Sequence, residues 1–464
     1  MMDNKIITRS PIDGSIYVER DFATQEQIDL TFNKATQAQA SWAFTSIAER
    51  QALCHKMVDA FVANRDEIST QLTWMMGRPI RYATGEIKGV EERARYMIDI
   101  ADTALETKKF DDKPGFKRFI TREPLGVCFV IAPWNYPYLT AVNAVIPAIM
   151  AGNSVVLKHS AQTPLCAEQF AKAFNAAALP SGVFQYLHLS HRDTETVIKK
   201  QPVNYLSFTG SVIGGKTVER AAAGRFIHLS LELGGKDPAY VCDDANIEKA
   251  AETCIDGAFF NSGQSCCGIE RIYVHQNIYH EFVERAVALV KRYRLGRPDD
   301  DQTTLGPVIS ATSADFIRKQ IDDAVKAGAT THIDPAHFPL NKMDSPYLAP
   351  QLLTDVDHNM RLMTEETFGP VVGIMKVKDD QQAISLMNDS EFGLTASVFS
   401  SDINRAINIG NKIDTGTFFV NRCDFLDPAL AWVGIKNSGR GCSLSSFGYH
   451  TLTRPKSFHV KTEL

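Results

Sequence analysis

Two neighbouring thiols, Cys266 and Cys267, stand in the stretch FFNSGQSCCGIER, behind the turn-forming Gly263 and Gln264 and ahead of a β-rich run. Such a pair can be buried filler, a redox couple, metal ligands, or a nucleophile with a neighbour. A catalytic cysteine has to be partly exposed, able to ionise, and close to donors for the oxyanion its attack creates. A turn leading into a strand presents Cys266 in that way. LELGGKDP adds Glu232 at the end of an apolar run, where desolvation raises a carboxyl pKa into the range of a general base. APWNYP adds Asn135, a side-chain amide held between prolines and suited to one arm of an oxyanion hole. Taken singly, these are also an ordinary core thiol, a capping carboxylate and a turn residue. Their combination outlines a site.

A second stretch invites phosphate. VNYLSFTGSVIGGKT runs strand, glycine turn, helix, which aims backbone N–H groups and the positive end of a helix dipole at an anion. Gly210 to Thr217 also match G-x-x-x-x-G-K-[ST] letter for letter, so a literal reading is a P-loop nucleotide hydrolase with Lys216 and Thr217 on phosphates and magnesium. Asp243 and Asp244 in AYVCDD then pose as the acidic strand that holds the metal. The other reading gives the glycines to a dinucleotide pyrophosphate and leaves Lys216 a solvated helix residue.

These residues need a scaffold, and the pattern around them is α/β. Capping boxes at Thr24 with Gln27 and Ser46 with Glu49 start two early helices. From Gly126 onward short β-rich runs alternate with helical segments: GVCFVIA, a helix over 139–150, SVVLK, a helix over 164–178, VNYLSF, and a helix starting near Gly214. That alternation predicts βαβ units and a parallel sheet covered on both faces. A second α/β series follows a boundary near Leu233, with helices over 247–260 and 278–293 and strands RIYVH, VVGIMKV and GTFFVN. TREPLGV and TRPKSFHVK read as strands detached from both series, edges of the kind that pair with another subunit.

Composition bounds the rest. At 464 residues the chain predicts two or three domains, and 44% hydrophobic content, 22% charged content and a net charge of -5 argue against nucleic acid as a partner. Nine scattered cysteines without C-x-x-C or C-x-x-H spacing predict a reducing, cytoplasmic setting, no disulfide framework and no metal site. The stretch from Pro124 to Leu157 carries no charge, yet Pro133, Pro137, Pro147, Asn135 and Asn143 argue against a membrane span.

From about Pro11 to its C-terminus the chain resembles the aldehyde dehydrogenase superfamily, through IAPWNYP, AGNSVVLKHSAQTP, LPSGVFQYL, SFTGS, LELGGKDP, FFNSGQSCCGIER, ETFGPVV and NSGRG in that order. The resemblance implies an NAD(P)-binding Rossmann-like domain (1–106 and 127–232), an α/β catalytic domain (233–440) and a small β oligomerisation element (107–126 and 441–464) serving a homodimer or homotetramer. It implies Cys266 as nucleophile, Cys267 as a neighbour lining the pocket, Asn135 and the Cys266 N–H as oxyanion donors, and Glu232 as base. It assigns Gly210, Ser211 and Gly215 to cofactor phosphates, Lys158 to the adenosine ribose, Trp134 to the cofactor's border, and Glu366 with Phe368 to the nicotinamide ribose. The P-loop match becomes a coincidence. The implied reaction is oxidation of an aldehyde to a carboxylic acid through a thiohemiacetal and a thioester, and the presence of Glu232 argues against transfer to coenzyme A.

The sequence departs from the family's pattern in two places. Ala161 stands where many members carry an acid for the ribose hydroxyls, so NADP stays open beside NAD. AWVGIKNSGRG replaces the commoner Pro-Phe-Gly-Gly opening at the substrate entrance. The implied pocket residues, Tyr136, Leu139, Phe260, Ser265, Cys267 and Leu426, are mostly apolar with no cationic anchor. They favour a neutral aliphatic or aromatic aldehyde over a dicarboxylic semialdehyde unless Arg271 or Arg422 points inward, and for Arg271 the expected role is a paired arginine behind the nucleophile loop.

Overall fold

The fold is that of a computed structural model, which describes residues 5–111 and 113–463. Two sheets organise the chain. The first has six strands in the order Gly439–Arg440, His228–Glu232, Tyr205–Thr209, Val127–Ala132, Ser154–His159, Phe184–Tyr186, parallel apart from the first. Strands Val127–Ala132 and Ser154–His159 are buried throughout. Alternation places Cys128, Val130 and Ala132 in one core and Val127, Phe129 and Ile131 in the other, so helices cover both faces. This burial explains the uncharged run from Pro124 to Leu157, which forms two strands and the helix Pro137–Met150 between them. No helix among the described residues is long and apolar enough to cross a membrane.

The second sheet has seven strands in the order Thr330–Thr331, Gln351–Thr354, Val371–Val377, Ile269–His275, Asp237–Val241, Thr395–Phe399, Thr417–Val420, with only the first antiparallel. Here too side chains alternate between two cores, with Ala239, Ile272 and Val274 on one side and Tyr240, Cys242 and Tyr273 on the other. A three-stranded antiparallel sheet stands apart. In it Phe116–Pro124 lies between Lys108–Lys109 and Thr453–Lys461, and Phe119 stacks on Phe458.

The detached strands expected from the sequence are therefore partners of each other. Two details differ from the expected partition of the C-terminal segment. Gly439–Arg440 returns to the first sheet beside Glu232, and helix Ser445–Thr451 packs on Ala101–Ala104 and Pro137–Met150, so only Thr453–Lys461 enters the small sheet. The apolar face of the 445–451 helix, with Tyr449 fully buried, fixes that segment to the first core.

Candidate active site

Three neighbouring parallel strands of the first sheet end at one place. Val127–Ala132 leads into Trp134 and Asn135, Tyr205–Thr209 into Gly210 and Ser211, and His228–Glu232 ends on Glu232 itself, with Thr209 its register partner. Carboxyl ends of parallel strands are where an open α/β sheet leaves room for ligands. The loop that carries Cys266 approaches from the second sheet, between helix Ile247–Phe259 and strand Ile269–His275. Glu366 to Phe368 come from the segment before the neighbouring strand Val371–Val377.

The Cys266 loop is strained and heavily braced. Asn261, Ser262 and Gly263 take left-handed φ values of 54°, 57° and 70°, a conformation unfavourable for the two non-glycine residues. Gly263 admits no side chain, because a Cβ there would meet the Gly369 carbonyl oxygen at 2.1 Å. Asn261 Nδ2 donates to the carbonyls of Asn135 (3.2 Å) and Gln264 (3.3 Å), and Ser262 Oγ donates to the Gly306 carbonyl (2.8 Å). Arg78 ties the loop to the oxyanion candidate: its Nε donates to Asn261 Oδ1 (3.1 Å) and its Nη2 to the Asn135 carbonyl (2.7 Å), while Nη1 pairs with Glu86. Glu86 in turn accepts the N–H groups of Tyr138 (2.7 Å) and Leu139 (3.2 Å), capping the 137–150 helix. Asn135 Nδ2 donates to the Gln264 carbonyl (3.1 Å), which brings that amide beside the loop.

The two adjacent thiols differ. Cys267 is buried, and its Sγ donates to Asp424 Oδ1 (2.8 Å). Its hydrogen bond to the Cys266 thiol, its burial and the Asp424 charge push its pKa well up, so it stays protonated. Cys266 is only half-buried. It faces two cavities, of about 700 Å3 and about 500 Å3, and shares that position with Glu232 and Thr209 alone. Burial raises the Glu232 carboxyl above the ordinary range, opposed by the Ser443 hydroxyl, which donates to Oε1 at 2.6 Å.

The smaller cavity gathers Trp134, Asn135, Gly210, Ser211, Glu366 and Phe368. Trp134 and Phe368 meet edge to face, with ring centroids 5.7 Å apart. Glu366 accepts the Gly235 N–H (3.0 Å), and burial, followed by the charge of Glu270, lifts its pKa to about 7. Two expected cofactor residues lie outside this lining. Gly215 sits on helix Val212–Ala222, where a Cβ would strike the Leu233 side chain at 2.6 Å, so close packing accounts for the glycine. Lys158 is buried at the end of its strand, with its pKa lowered to about 8 by desolvation.

The P-loop reading fails on geometry. Helix Val212–Ala222 begins directly after its cap Ser211, so Gly214 to Thr217 are already helical and no loop remains to wrap a phosphate. Thr217 Oγ1 donates back to the Ile213 carbonyl, and Asp243 and Asp244 pair with Arg405.

All six expected pocket residues, Tyr136, Leu139, Phe260, Ser265, Cys267 and Leu426, line the larger cavity. The six carry no cation, as read, but the rest of the lining does: Arg78, Lys88 and Arg93 line the cavity, together with carboxyls that include Asp256 and Asp424. Arg271 is buried behind the loop, donating to the carbonyls of Lys236, Leu386, Met387 and Asp389, and Arg422 does not line the cavity itself but stacks on Phe425, which does. Sequence reasoning also missed Arg78, Asn261, Thr209 and the buried pair of Lys236 with Glu270, whose carboxylate accepts the N–H groups of Thr367 and Phe368 (both 2.8 Å). Thr209, Lys236, Asn261 and Glu270 all lie inside the quoted motifs SFTGS, LELGGKDP and FFNSGQSCCGIER, and only Arg78 lies outside them. What the letters did not carry is the contacts these residues make with distant segments.

The chain is similar to known proteins in sequence and in structure. The model of the aldehyde dehydrogenase family matches residues 2–458. Succinate-semialdehyde dehydrogenase (NADP+) from Deinococcus radiodurans is 32% identical over 452 residues, 97% of this chain and 93% of that protein. Aldehyde dehydrogenase from Brucella melitensis biovar abortus superposes with a TM-score of 0.95 at 27% identity, over 99% of this chain and 94% of that one. Betaine aldehyde dehydrogenase from Staphylococcus aureus in complex with NAD+ superposes with a TM-score of 0.93 at 29% identity, over 99% and 92%. On a family match that spans both sheets and every residue of the site, the chain belongs to the aldehyde dehydrogenase family.

Proposed function

We propose that this chain oxidises an aldehyde to the carboxylic acid with NAD or NADP, using Cys266 as nucleophile, Glu232 as base and Asn135 as oxyanion donor. The observation that carries the reading is the position of Cys266, Glu232 and Thr209 where the two cavities meet, so that one thiol faces both a substrate and a cofactor compartment. The smaller cavity suits a dinucleotide by its donor set: the Ser211 hydroxyl and the first-turn N–H groups of the 212–222 helix for phosphates, the Glu366 carboxylate for ribose hydroxyls, and the Trp134 and Phe368 rings for the base.

Cys266 Sγ adds as the thiolate to the carbonyl carbon, and the displaced π pair settles on oxygen. Asn135 Nδ2 and the Cys266 backbone N–H hold that oxyanion. A bound nicotinamide supplies the acceptor for the one hydride that converts the thiohemiacetal to a thioester. Glu232 then takes a proton from water, whose oxygen attacks the thioester carbon and expels the Cys266 thiolate. Burial suits Glu232 to this work, because a carboxylate held above its ordinary pKa is a stronger base.

We assign segments 1–106 and 127–232 to cofactor binding, 233–440 to catalysis, and the small sheet to self-association as a homodimer or homotetramer. The exposed outer edge of Thr453–Lys461 supports that last role. One relative is named for NADP and another was solved with NAD+, so both cofactors enter the test. The test is a panel of aldehydes with each cofactor at matched concentration, read by reduced nicotinamide. Aldehyde-dependent reduction is expected, and its absence from every combination would reject the proposal.

A further inference from the structure

The larger cavity holds a guanidinium that no carboxylate among the described residues partners. Arg93 leaves helix Ile80–Asp99 and reaches across to the 137–150 helix, where Nη1 donates to the Leu139 carbonyl (3.1 Å) and to Asn143 Oδ1 (3.4 Å). Its Nε and Nη2 find no hydrogen-bond acceptor among the described residues. The contrast with Arg78, lining the same cavity, is direct: that guanidinium is spent on Glu86, Asn261 and Asn135. Arginine carries its donors as a fixed fork that matches a carboxylate and keeps its charge when enclosed. An enclosed charge without a partner is costly, and an arriving anion relieves the cost.

The charge is also near the chemistry. Burial draws the Arg93 pKa down, while Cys267, Glu232, Glu86 and Asp424 draw it back up from beyond contact distance. Two of these groups flank the nucleophile, since Cys267 is its chain neighbour and Glu232 shares its position between the cavities. We infer that Arg93 anchors the far-end carboxylate of a short aliphatic aldehyde, so that the substrate class is an ω-carboxylated aldehyde rather than a neutral one. This inference deepens the proposed function and rests on it.

Lys88, Glu92, Glu252 and Asp256 also line the cavity but are exposed to water, so the competing feature is Asp424, whose carboxyl would suit a cationic aldehyde. Its Oδ1 is already engaged by Cys267 Sγ (2.8 Å) and Ser265 Oγ (3.4 Å), which leaves Arg93 the less satisfied group.

The test compares three aldehydes of equal chain length, succinic semialdehyde, butanal and 4-aminobutanal, on the purified enzyme with its preferred cofactor. Wild type is expected to prefer succinic semialdehyde over butanal by at least about 10-fold in kcat/KM. Arg93→Gln should cut that preference about 10- to 100-fold, mainly through KM, and Arg93→Lys should restore part of it. A wild-type preference for butanal or 4-aminobutanal, or a parallel loss on all three aldehydes in Arg93→Gln, would overturn the inference. A separate readout needs no turnover: succinate should slow alkylation of Cys266 by iodoacetamide in wild type and in Arg93→Lys, but not in Arg93→Gln. Equal protection in Arg93→Gln would overturn the anchor even if oxidation were absent, whereas absent oxidation with Arg93-dependent protection would reject only the proposed reaction.

Discussion

At the scale of single residues, the division of labour between two adjacent thiols is set by what each side chain touches. Cys267 donates a hydrogen bond to Asp424 and is held protonated, whereas Cys266 faces both cavities. Cys266→Ala is therefore expected to lower aldehyde oxidation by roughly 10³-fold or more, and Cys267→Ala to keep most of it, measured as kcat with a saturating aldehyde. The proposed base has a testable pH signature. Glu232 must be ionised to act, and its folded pKa lies above the ordinary carboxyl value, so hydrolysis of the thioester falls off as pH drops through that raised value. The Ser443 hydroxyl donates to the ionised form and opposes the shift. Ser443→Ala should move the acid limb of kcat about one pH unit higher, and an unmoved limb would mean that another group titrates.

At the scale of elements, the 261–263 run stores strain just before the nucleophile, and its bracing by Arg78 and Asn135 holds the loop in place. Gly263→Ala places a Cβ into the Gly369 carbonyl at a left-handed φ, so it should destabilise the fold by about 2 kcal/mol or more, read by denaturant unfolding. Much at this scale was legible in the sequence. The Thr24 and Gln27 capping box forms as read, and the helix expected over 247–260 is Ile247–Phe259. Strand alternation worked because buried parallel strands are apolar throughout, as GVCFVIA and SVVLK are. The eight-residue P-loop pattern misled because letters carry no backbone conformation: Ser211 caps a helix whose first turn swallows the pattern. Arg93 was invisible for another reason. It reads as one more charge in the helix segment EERARYMID, and only the crossing of the 80–99 helix by the 137–150 helix turns it into the cavity.

At the scale of the whole molecule, two α/β sheets place complementary halves of one site against each other: the proposed base Glu232 and oxyanion donor Asn135 from the first, the proposed nucleophile Cys266 and Glu366 from the second. The small third sheet keeps an exposed outer strand, Thr453–Lys461, whose unpaired edge fits a second copy of the chain. The full chain should sediment as a dimer or tetramer and a chain lacking residues 457–464 should shift toward monomer, whereas a monomeric full chain would leave that strand without its proposed role. The central claim is that substrate carbon becomes bonded to Cys266 and is released by Glu232. It is tested most directly by quenching Glu232→Gln with aldehyde and cofactor and mapping the acyl group by peptide mass spectrometry. An acyl mass on Cys266, accumulating beyond the wild-type level, is the expected result. An acyl mass on Cys267, or none on either thiol during turnover, would contradict it.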